Sequence, residues 1–433
     1  MKRSTGLIAA FSLIGLNACK TTSNQSDVKF GAGEHMTLGN RGYEQACRGS
    51  NICLPNIPRA DKKISFSYGE LVAFAGDFYG TPEEMDNDKD NASFWTFLFQ
   101  KDIKATKKLF ADEAEDIKKQ IETGKAIDDN GNTVYRDNNT WFTYNFGYQY
   151  VELATNNVDH FGWHNMKKYV AEHDKALEFA VRAYQESDGR KKEELLRKAL
   201  FTNAFADHFL TDGFASGHVR TPRAEAIRWA TQKGLNKEAI GALAKVIHDN
   251  DHTLENHGGL KVINSKGNAW KTRADGELFV IPEADKNPVY VALPTEAVRI
   301  SIEEVLEAYR TGATPEGVYK ATELAPFIDP SEDKLIDSFP ANRSNKEINS
   351  LMVTIGPMWT YGTAIGLSYD LTRQYFKELP EMMKNFREGV KKDVDEGLRI
   401  YVDPKAKNLV EKKTIDLKAR LPEKYLKGYM NVQ

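Results

Sequence analysis

The segment 206–218 constrains this chain more than any other, because it puts metal-binding side chains at the buried end of a helix. Residues 190–212 follow a helical pattern that begins polar and ends almost entirely apolar. His208 and Asp212 are four residues apart and therefore share one helix face. His218 follows a glycine-containing turn that can fold its imidazole back toward them. Converging imidazole and carboxylate groups suit zinc, so we predict a metal site here.

Histidines elsewhere in the chain extend this prediction. All 9 lie between His35 and His257, so the C-terminal part of this 433-residue chain has none. Histidines scattered over a surface would not leave so long a stretch empty. The further candidate metal ligands are His35, Asp77, His160, His248 and His252. We interpret His164, His173 and His257 as surface or hydrogen-bonded core residues, and Asp77 considered alone fits a helix cap or a turn equally well.

The overall composition restricts the classes of partner. Hydrophobic residues make up 41% of the chain, which permits a substantial core in one large or two modest domains. The formal net charge is -3, and no basic cluster is present in the sequence. The sequence therefore indicates neither a nucleic-acid surface nor a polybasic membrane patch.

The N-terminal residues are typical of an exported bacterial lipoprotein. Basic residues are followed by an apolar stretch at 7–16, too short to span a membrane, and then by Cys19. The residues before Cys19 resemble a bacterial lipobox, which implies a signal peptide at 1–18 and a lipidated tether at 19–29. Lys20, rather than an aspartate, follows the cysteine and favours an outer-membrane lipoprotein in the periplasm or on the cell surface. The alternative is an ordinary signal peptide with an incidental cysteine.

Two further cysteines indicate a disulfide. Cys47 and Cys53 flank a short, turn-rich loop. They are the two cysteines that remain once Cys19 is set aside, so they can pair with each other. Exported chains form such bonds in oxidising compartments. A metal–thiolate pair is the alternative, although the sequence has no second cysteine pair to complete such a site.

An acidic segment at 86–90 partly matches a calcium-binding loop. Its three aspartates occupy every second position, as such loops require. Asn91, however, occupies the position at which calcium-binding loops have glycine, and Phe97 the position at which they have glutamate. We therefore predict a solvated acidic turn.

The hydrophobic periodicity predicts an all-α fold with small β-hairpin insertions. Helices are expected at 101–123, 165–187, 190–212 and 294–311, with one or two more in 361–400, broken at Pro380. Hairpins are expected at Asp129-Asn130-Gly131 and from Gly276–Ile281 paired with Val289–Leu293, and 312–350 looks irregular. The predicted organisation is a helical core domain at 30–310 and a helical C-terminal extension at 311–433.

Taken in chain order, these motifs resemble the zinc-dependent phospholipase C family. That family includes bacterial lecithinases and clostridial alpha-toxin, and shares its fold with fungal zinc nucleases. The resemblance runs over about 30–265. It rests on Gly31-Ala-Gly-Glu-His35, Asp77, Asp159-His160-Phe161, His208-x3-Asp212-x5-His218 and His248, of which only the 208–218 motif is specific by itself.

The resemblance implies an all-helical, phospholipase C-like core whose cleft holds two or three zinc ions. The implied ligand groups are Asp77, His160, His208 and Asp212 for one zinc, His35 and Asp212 for a second, and His218 and His248 for a third. Asp212 would bridge two ions, and Asp77 would also serve as the catalytic base.

The chain departs from the family in three respects. No tryptophan precedes His35 to supply a terminal amine ligand, and the lipidated Cys19 would be the mature terminus. The family's glutamate four residues after the last histidine is replaced by His252, with Asp251 and Glu255 as alternatives. The segments before His160 and before His248 are longer than the family's, so substrate choice does not carry over.

The implied function is hydrolysis of phosphoesters by water activated at a multi-zinc site, in the manner of phospholipase C. Lipidation would bring the enzyme to a membrane, where phospholipid or another phosphodiester is the expected substrate, and no nucleic acid is expected as partner. One alternative is a nuclease or nucleotidase on the same fold. Another is a non-catalytic surface lipoprotein with a vestigial metal site.

Overall fold

The computed structural model describes residues 31–88, 101–126, 128–130, 134–136, 138–146, 149–150, 153–154, 157–235, 260–273, 276–281, 288–316, 319–328, 344–346, 368–396, 398–399 and 414–415. The chain is mostly helical with a few short antiparallel strands, which confirms the predicted fold class. Among the described residues, no helix has both the length and the apolar character needed to cross a membrane. The predicted division at 310 stays a prediction.

The core is built on two long neighbouring helices. The first, α6, spans Trp163–Gln185, and the second, α7, spans Gly189–Asp212. Asp188 caps α7 by accepting hydrogen bonds from the backbone N–H groups of Arg190 and Lys191. The second half of α7 is buried throughout, because other helices cover it on all sides.

Three further helices cover this pair. They are α1 (Ala32–Cys47), α2 (Tyr68–Phe74) and α10 (Val289–Thr311). Helix α10 packs against α1, α6 and α7, while α2 packs between α1 and α7. The predicted Cys47–Cys53 disulfide is present at the end of α1.

The remaining elements are shorter or peripheral. The helices are α3 (Pro82–Asp86), α4 (Ile103–Thr123), α5 (Asn139–Phe146), a 3₁₀ turn at Val158–His160, α8 (Ser216–Arg220), α9 (Arg223–Gln232), α11 (Lys320–Leu324) and α12 (Tyr369–Glu396). The strands are β1 (Ile57–Pro58), β2 (Ser65–Phe66), β3 (Leu260–Ile263), β4 (Ala269–Thr272), β5 (Phe327–Ile328), β6 (Leu398–Arg399) and β7 (Thr414–Ile415). They pair antiparallel as β1–β2, β4–β3–β5 and β6–β7.

The helices predicted at 101–123, 165–187 and 190–212 are confirmed to within two residues at each end. The helix predicted at 294–311 begins earlier, at Val289, so the hairpin expected from Gly276–Ile281 and Val289–Leu293 is wrong. The buried positions of α10 recur three or four residues apart from Tyr290 onward, which is helical spacing.

The hairpin predicted at Asp129-Asn130-Gly131 is not formed by the described residues around that turn. The backbone N–H of Val134 closes the turn on the carbonyl of Ala126, but neither flank is a strand. Tyr135 instead donates a hydrogen bond to the buried carboxylate of Glu113 on α4. The segment is thus held by side chains of α4 rather than by strand pairing.

The break expected at Pro380 is also wrong, since α12 continues through this residue. Proline removes one backbone hydrogen bond from a helix interior. Buried residues on both sides of the proline share one apolar face, namely Tyr375, Phe376, Leu379, Met382 and Phe386. Packing of that face holds the helix together across the proline.

The acidic turn at 86–90 is not solvated at its first position. Asp86 is buried, accepts a hydrogen bond from the backbone N–H of Ala60, and pairs with Arg197 at 2.7 Å. Asp88 accepts a hydrogen bond from the hydroxyl of Tyr79. These aspartates therefore anchor the turn to the core, and Asp90 lies outside the described residues.

His173 is a hydrogen-bonded core residue, as predicted. Its Nδ1 lies 2.6 Å from Asn203 Oδ1, and its Nε2 lies 3.1 Å from Glu304 Oε2. The Asn203 amide donates to the hydroxyls of Tyr68 and Ser301, so its oxygen faces the imidazole as an acceptor. Burial lowers the pKa of His173, but the hydrogen bond and charge of Glu304 outweigh it and raise the pKa above its ordinary 6.5.

A His173→Gln variant is expected to have a smaller free energy of unfolding than the wild type, by an amount that depends on pH. A histidine whose pKa rises on folding contributes stability that is complete below its unfolded pKa and disappears as the pH rises through its folded pKa. The difference in unfolding free energy between wild type and variant should therefore shrink as the pH rises above the unfolded pKa of about 6.5 and through the higher folded pKa. Urea unfolding of the full chain with chelator present measures it, and a pH-independent difference would contradict the assignment.

Candidate metal centre

Five of the predicted ligands converge at the end of α7, around the carboxylate of Asp212. Its Oδ2 lies 2.9 Å from His160 Nδ1 and 3.6 Å from His208 Nε2. Its Oδ1 lies 3.5 Å from His35 Nε2 and 3.5 Å from His218 Nδ1. All five residues are buried, with at most 5% exposure. The two oxygens thus face different pairs of imidazoles, the arrangement that a bridging carboxylate requires.

The N-terminal turn of α1 positions His35. Glu34, one residue earlier, is fully buried and accepts hydrogen bonds from the backbone N–H groups of Gly276 and Leu278, at 2.8 and 2.9 Å. It also accepts one from the N–H of Gly31, which caps the helix. The start of α1 is therefore fixed against the 276–278 segment, and the His35 ring stacks on His208 with centroids 4.1 Å apart.

The two turns that carry His160 and His218 hold each other. His218 Nδ1 lies 3.0 Å from the carbonyl oxygen of His160, and the N–H of Gly162 donates to the carbonyl of His218 at 2.6 Å. The ring of Phe161 stacks on the His218 ring with centroids 4.5 Å apart. The guanidinium of Arg223, at the start of α9, lies over the Phe161 ring, 4.8 Å from its centroid.

Two of the three separations within one group of ligand atoms fit a tetrahedral metal site. Ligands about 2.0–2.2 Å from zinc lie about 3.3–3.6 Å from each other in a tetrahedron. His208 Nε2 is 3.3 Å from His160 Nδ1 and 3.6 Å from Asp212 Oδ2, and the third separation is slightly shorter at 2.9 Å. These three groups could therefore hold one metal ion with little rearrangement.

A second group of possible ligands is formed by His35, Asp77 and His208. Asp77 follows α2 in a tight turn, where its N–H donates to the carbonyl of Ala75. It is only partly buried, unlike the histidines. The resemblance implied that Asp77 shares an ion with His160, His208 and Asp212. Of these, His208 lies in the group with Asp77, and the Asp77 carboxylate also acts electrostatically on His160.

His218 lies beside these two groups rather than in either of them. Its Nδ1 is directed at the carbonyl of His160 and toward Asp212. Its predicted partner His248, the residues His252, Asp251 and Glu255, and the lipidation site Cys19 all lie outside the described residues. The third ligand group thus stays a prediction.

The electrostatics of the site favour a bound cation. Burial opposes ionisation of Asp212, yet the imidazoles of His218, His208 and His160 hold the pKa of its carboxyl well below its usual range. Within the described part of the chain, neither Asp212 oxygen makes a hydrogen bond of good geometry, although His160 Nδ1 lies 2.9 Å from one of them. A buried anion without hydrogen-bond donors is costly, and a metal ion would remove that cost.

The surroundings of His208 and His160 shift the pKa values of the two imidazoles in opposite directions. Burial and the neighbouring His35 lower the pKa of His208 well below 6.5. Burial also lowers the pKa of His160, but the adjacent carboxylate of Asp212 outweighs it and raises the pKa. The surroundings of His208 thus favour the neutral imidazole, the form that binds metals.

Gly76 leaves the space that the ligand rings occupy. Its φ of +67° is a left-handed conformation that glycine adopts without strain. A Cβ at this position would lie 2.5 Å from the His208 ring and 2.7 Å from His160 Cε1. The sequence analysis did not single out this glycine, because the close approach depends on rings that are distant in the chain.

Buried histidine and aspartate groups at the end of α7 could therefore hold a metal ion. Comparison with known proteins adds nothing to this geometry. No known family model, no curated protein and no solved structure matches this chain.

Proposed function

We propose that this chain is a zinc-dependent phosphoester hydrolase of the phospholipase C type. The observation that carries the proposal is the Asp212 carboxylate, whose two oxygens face two different pairs of imidazoles at 2.9–3.6 Å. A carboxylate in this setting suits two neighbouring cations, and pairs of cations are used to hydrolyse phosphoesters.

Zinc is the metal that the donor set favours. The candidate ligands are imidazole nitrogens and carboxylate oxygens, with no cysteine thiolate and few oxygen donors. Calcium and magnesium prefer sites made entirely of oxygen atoms, whereas zinc accepts imidazole and carboxylate together in a tetrahedral arrangement.

The bound metal would act as a Lewis acid that polarises a phosphoryl oxygen. It would also lower the pKa of a water molecule bound to it to about 7. The chain's own residues would do the rest. His160, His208 and Asp212 would hold the ion in a buried pocket. Among the candidate ligands in the described residues, Asp77 is the one that is partly exposed, so it would orient the attacking water or accept its proton.

We further propose phospholipid as the substrate class. Lipidation at Cys19 would hold the enzyme at a bacterial outer membrane, so phospholipid would be the most concentrated phosphodiester near the site. Because the formal net charge is -3, the chain offers little attraction for nucleic acid.

Chelation and substrate choice test this proposal together. The purified full chain, loaded with zinc, is assayed on lecithin vesicles, single-stranded DNA and bis(p-nitrophenyl) phosphate. We expect cleavage of lecithin, none of DNA, loss of activity with chelator and recovery on adding zinc. Cleavage of DNA instead of lipid would favour the nuclease alternative. Fewer than about two zinc ions per chain, the number that a paired site needs, or full activity after chelation, would contradict the proposal.

A further inference from the structure

Thr211 is a fully buried threonine between two of the candidate ligands on α7, and the proposed chemistry gives it no role. Its Oγ1 lies 2.7 Å from Nδ1 of His35, which belongs to a different helix. The same oxygen lies 2.8 Å from the carbonyl oxygen of Asp207 and 2.8 Å from that of His208. The hydroxyl therefore connects the metal-binding end of α7 to the first turn of α1.

The number of hydrogen atoms limits the possible directions of the bond to His35. A threonine hydroxyl carries one hydrogen, and carbonyl oxygens only accept. When the hydroxyl donates to one of the two carbonyls, its oxygen is left to accept from the imidazole. His35 then carries its proton on Nδ1 and has a lone pair on Nε2, the atom 3.5 Å from Asp212 Oδ1.

From this geometry we infer that Thr211 is a positioning residue that selects Nε2 of His35 as a metal-binding atom. The inference rests on the proposed metal centre. Metal-binding histidines commonly donate their second N–H to a neighbouring acceptor, which fixes both tautomer and ring orientation.

Ring stacking alone does not fix this orientation. The stack of His35 on His208 restricts the tilt of the ring, but a half-turn about the Cβ–Cγ bond preserves the stack and exchanges nitrogen positions for carbon positions. The hydrogen bond to Thr211 distinguishes the two orientations. His208 has a comparable acceptor in the backbone carbonyl of Val72, 2.9 Å from its Nδ1. Of these two acceptors, only the one for His35 belongs to a side chain, so it can be removed by mutation.

Zinc affinity of Thr211 variants gives the first test. Thr211→Val keeps the shape of the side chain and removes the acceptor, and should weaken zinc binding about 10–100-fold. Thr211→Ser keeps the hydroxyl and should restore most of the affinity. Thr295→Val is the matched control, because this buried threonine donates only to the carbonyl of Val291 on α10. Equal zinc affinity in wild type and Thr211→Val, measured by competition with a chromogenic chelator, would overturn the inference.

Nitrogen NMR of the wild-type chain gives a second test that does not depend on the variants folding. With ¹⁵N-labelled histidine, the zinc-loaded chain should show His35 protonated at Nδ1, and protonation at Nε2 would overturn the inference. If the chain binds no zinc, the proposed function fails. The same spectrum of the metal-free chain then still decides whether Thr211 holds the Nδ1–H tautomer or not.

Discussion

The Asp212→Asn variant is expected to lose zinc from the site almost completely. The substitution keeps the size of the side chain but removes the negative charge that faces four imidazoles. It also replaces one acceptor oxygen by an N–H₂ group, which binds no metal. Loss of a hydrogen-bonding neighbour of a ligand costs about 10–100-fold in affinity, so loss of a ligand shared by two ions should cost more than about 100-fold.

Zinc content after dialysis, together with the melting temperature with and without zinc, measures this effect. Wild type should gain stability from zinc, whereas the variant should gain almost none. Asp188→Asn is the control, because Asp188 is exposed and caps the end of α7 opposite the ligands. Asparagine caps a helix about as well as aspartate, so the control should keep the wild-type zinc affinity. Wild-type zinc content in Asp212→Asn would contradict the central place given to this carboxylate.

The Gly76→Ala variant is expected to destabilise the fold and the metal centre together. A left-handed backbone costs an alanine about 1–2 kcal/mol, and forcing extra volume into a packed core costs about 1–3 kcal/mol more. The new Cβ would lie 2.5 Å from the His208 ring, so the ring or the backbone at residue 76 must shift. We expect a loss of about 2–5 kcal/mol in unfolding free energy, combined with weaker zinc binding.

Gly49→Ala separates the two contributions. Gly49 has a similar φ of +75°, but a Cβ there would meet no atom within 4 Å. Its substitution should therefore cost only the conformational part, about 1–2 kcal/mol, and should leave zinc affinity unchanged. Chemical denaturation and zinc titration of both variants make the comparison. Equal losses of stability for the two glycines would show that the ring contact of Gly76 is unimportant.

Part of the site can be predicted from the sequence because its residues belong to one regular element. His208 and Asp212 share a face of α7 by their spacing alone, and the apolar second half of that helix indicates burial. His35, Asp77 and His160 are candidates by residue type, but only the family resemblance groups them with α7, since no local pattern relates residues so far apart in the chain.

The features that the sequence analysis missed depend on contacts between distant segments. Thr211 reads as an ordinary helical residue until His35 is found beside its hydroxyl. Gly76 reads as a turn residue until the His208 ring is found against it. The same limitation explains the errors in the fold. Short apolar segments such as 289–293 fit a strand or a helix equally well, and only their packing decides between the two.

The most direct test of the metal centre is zinc anomalous scattering from crystals of the full chain loaded with zinc. The anomalous map should show a peak about 2.0–2.2 Å from His160 Nδ1, His208 Nε2 and an Asp212 oxygen. A second peak on the side of His35 is expected if Asp212 bridges two ions. A map with zinc only at surface positions, and none among these side chains, would contradict the account.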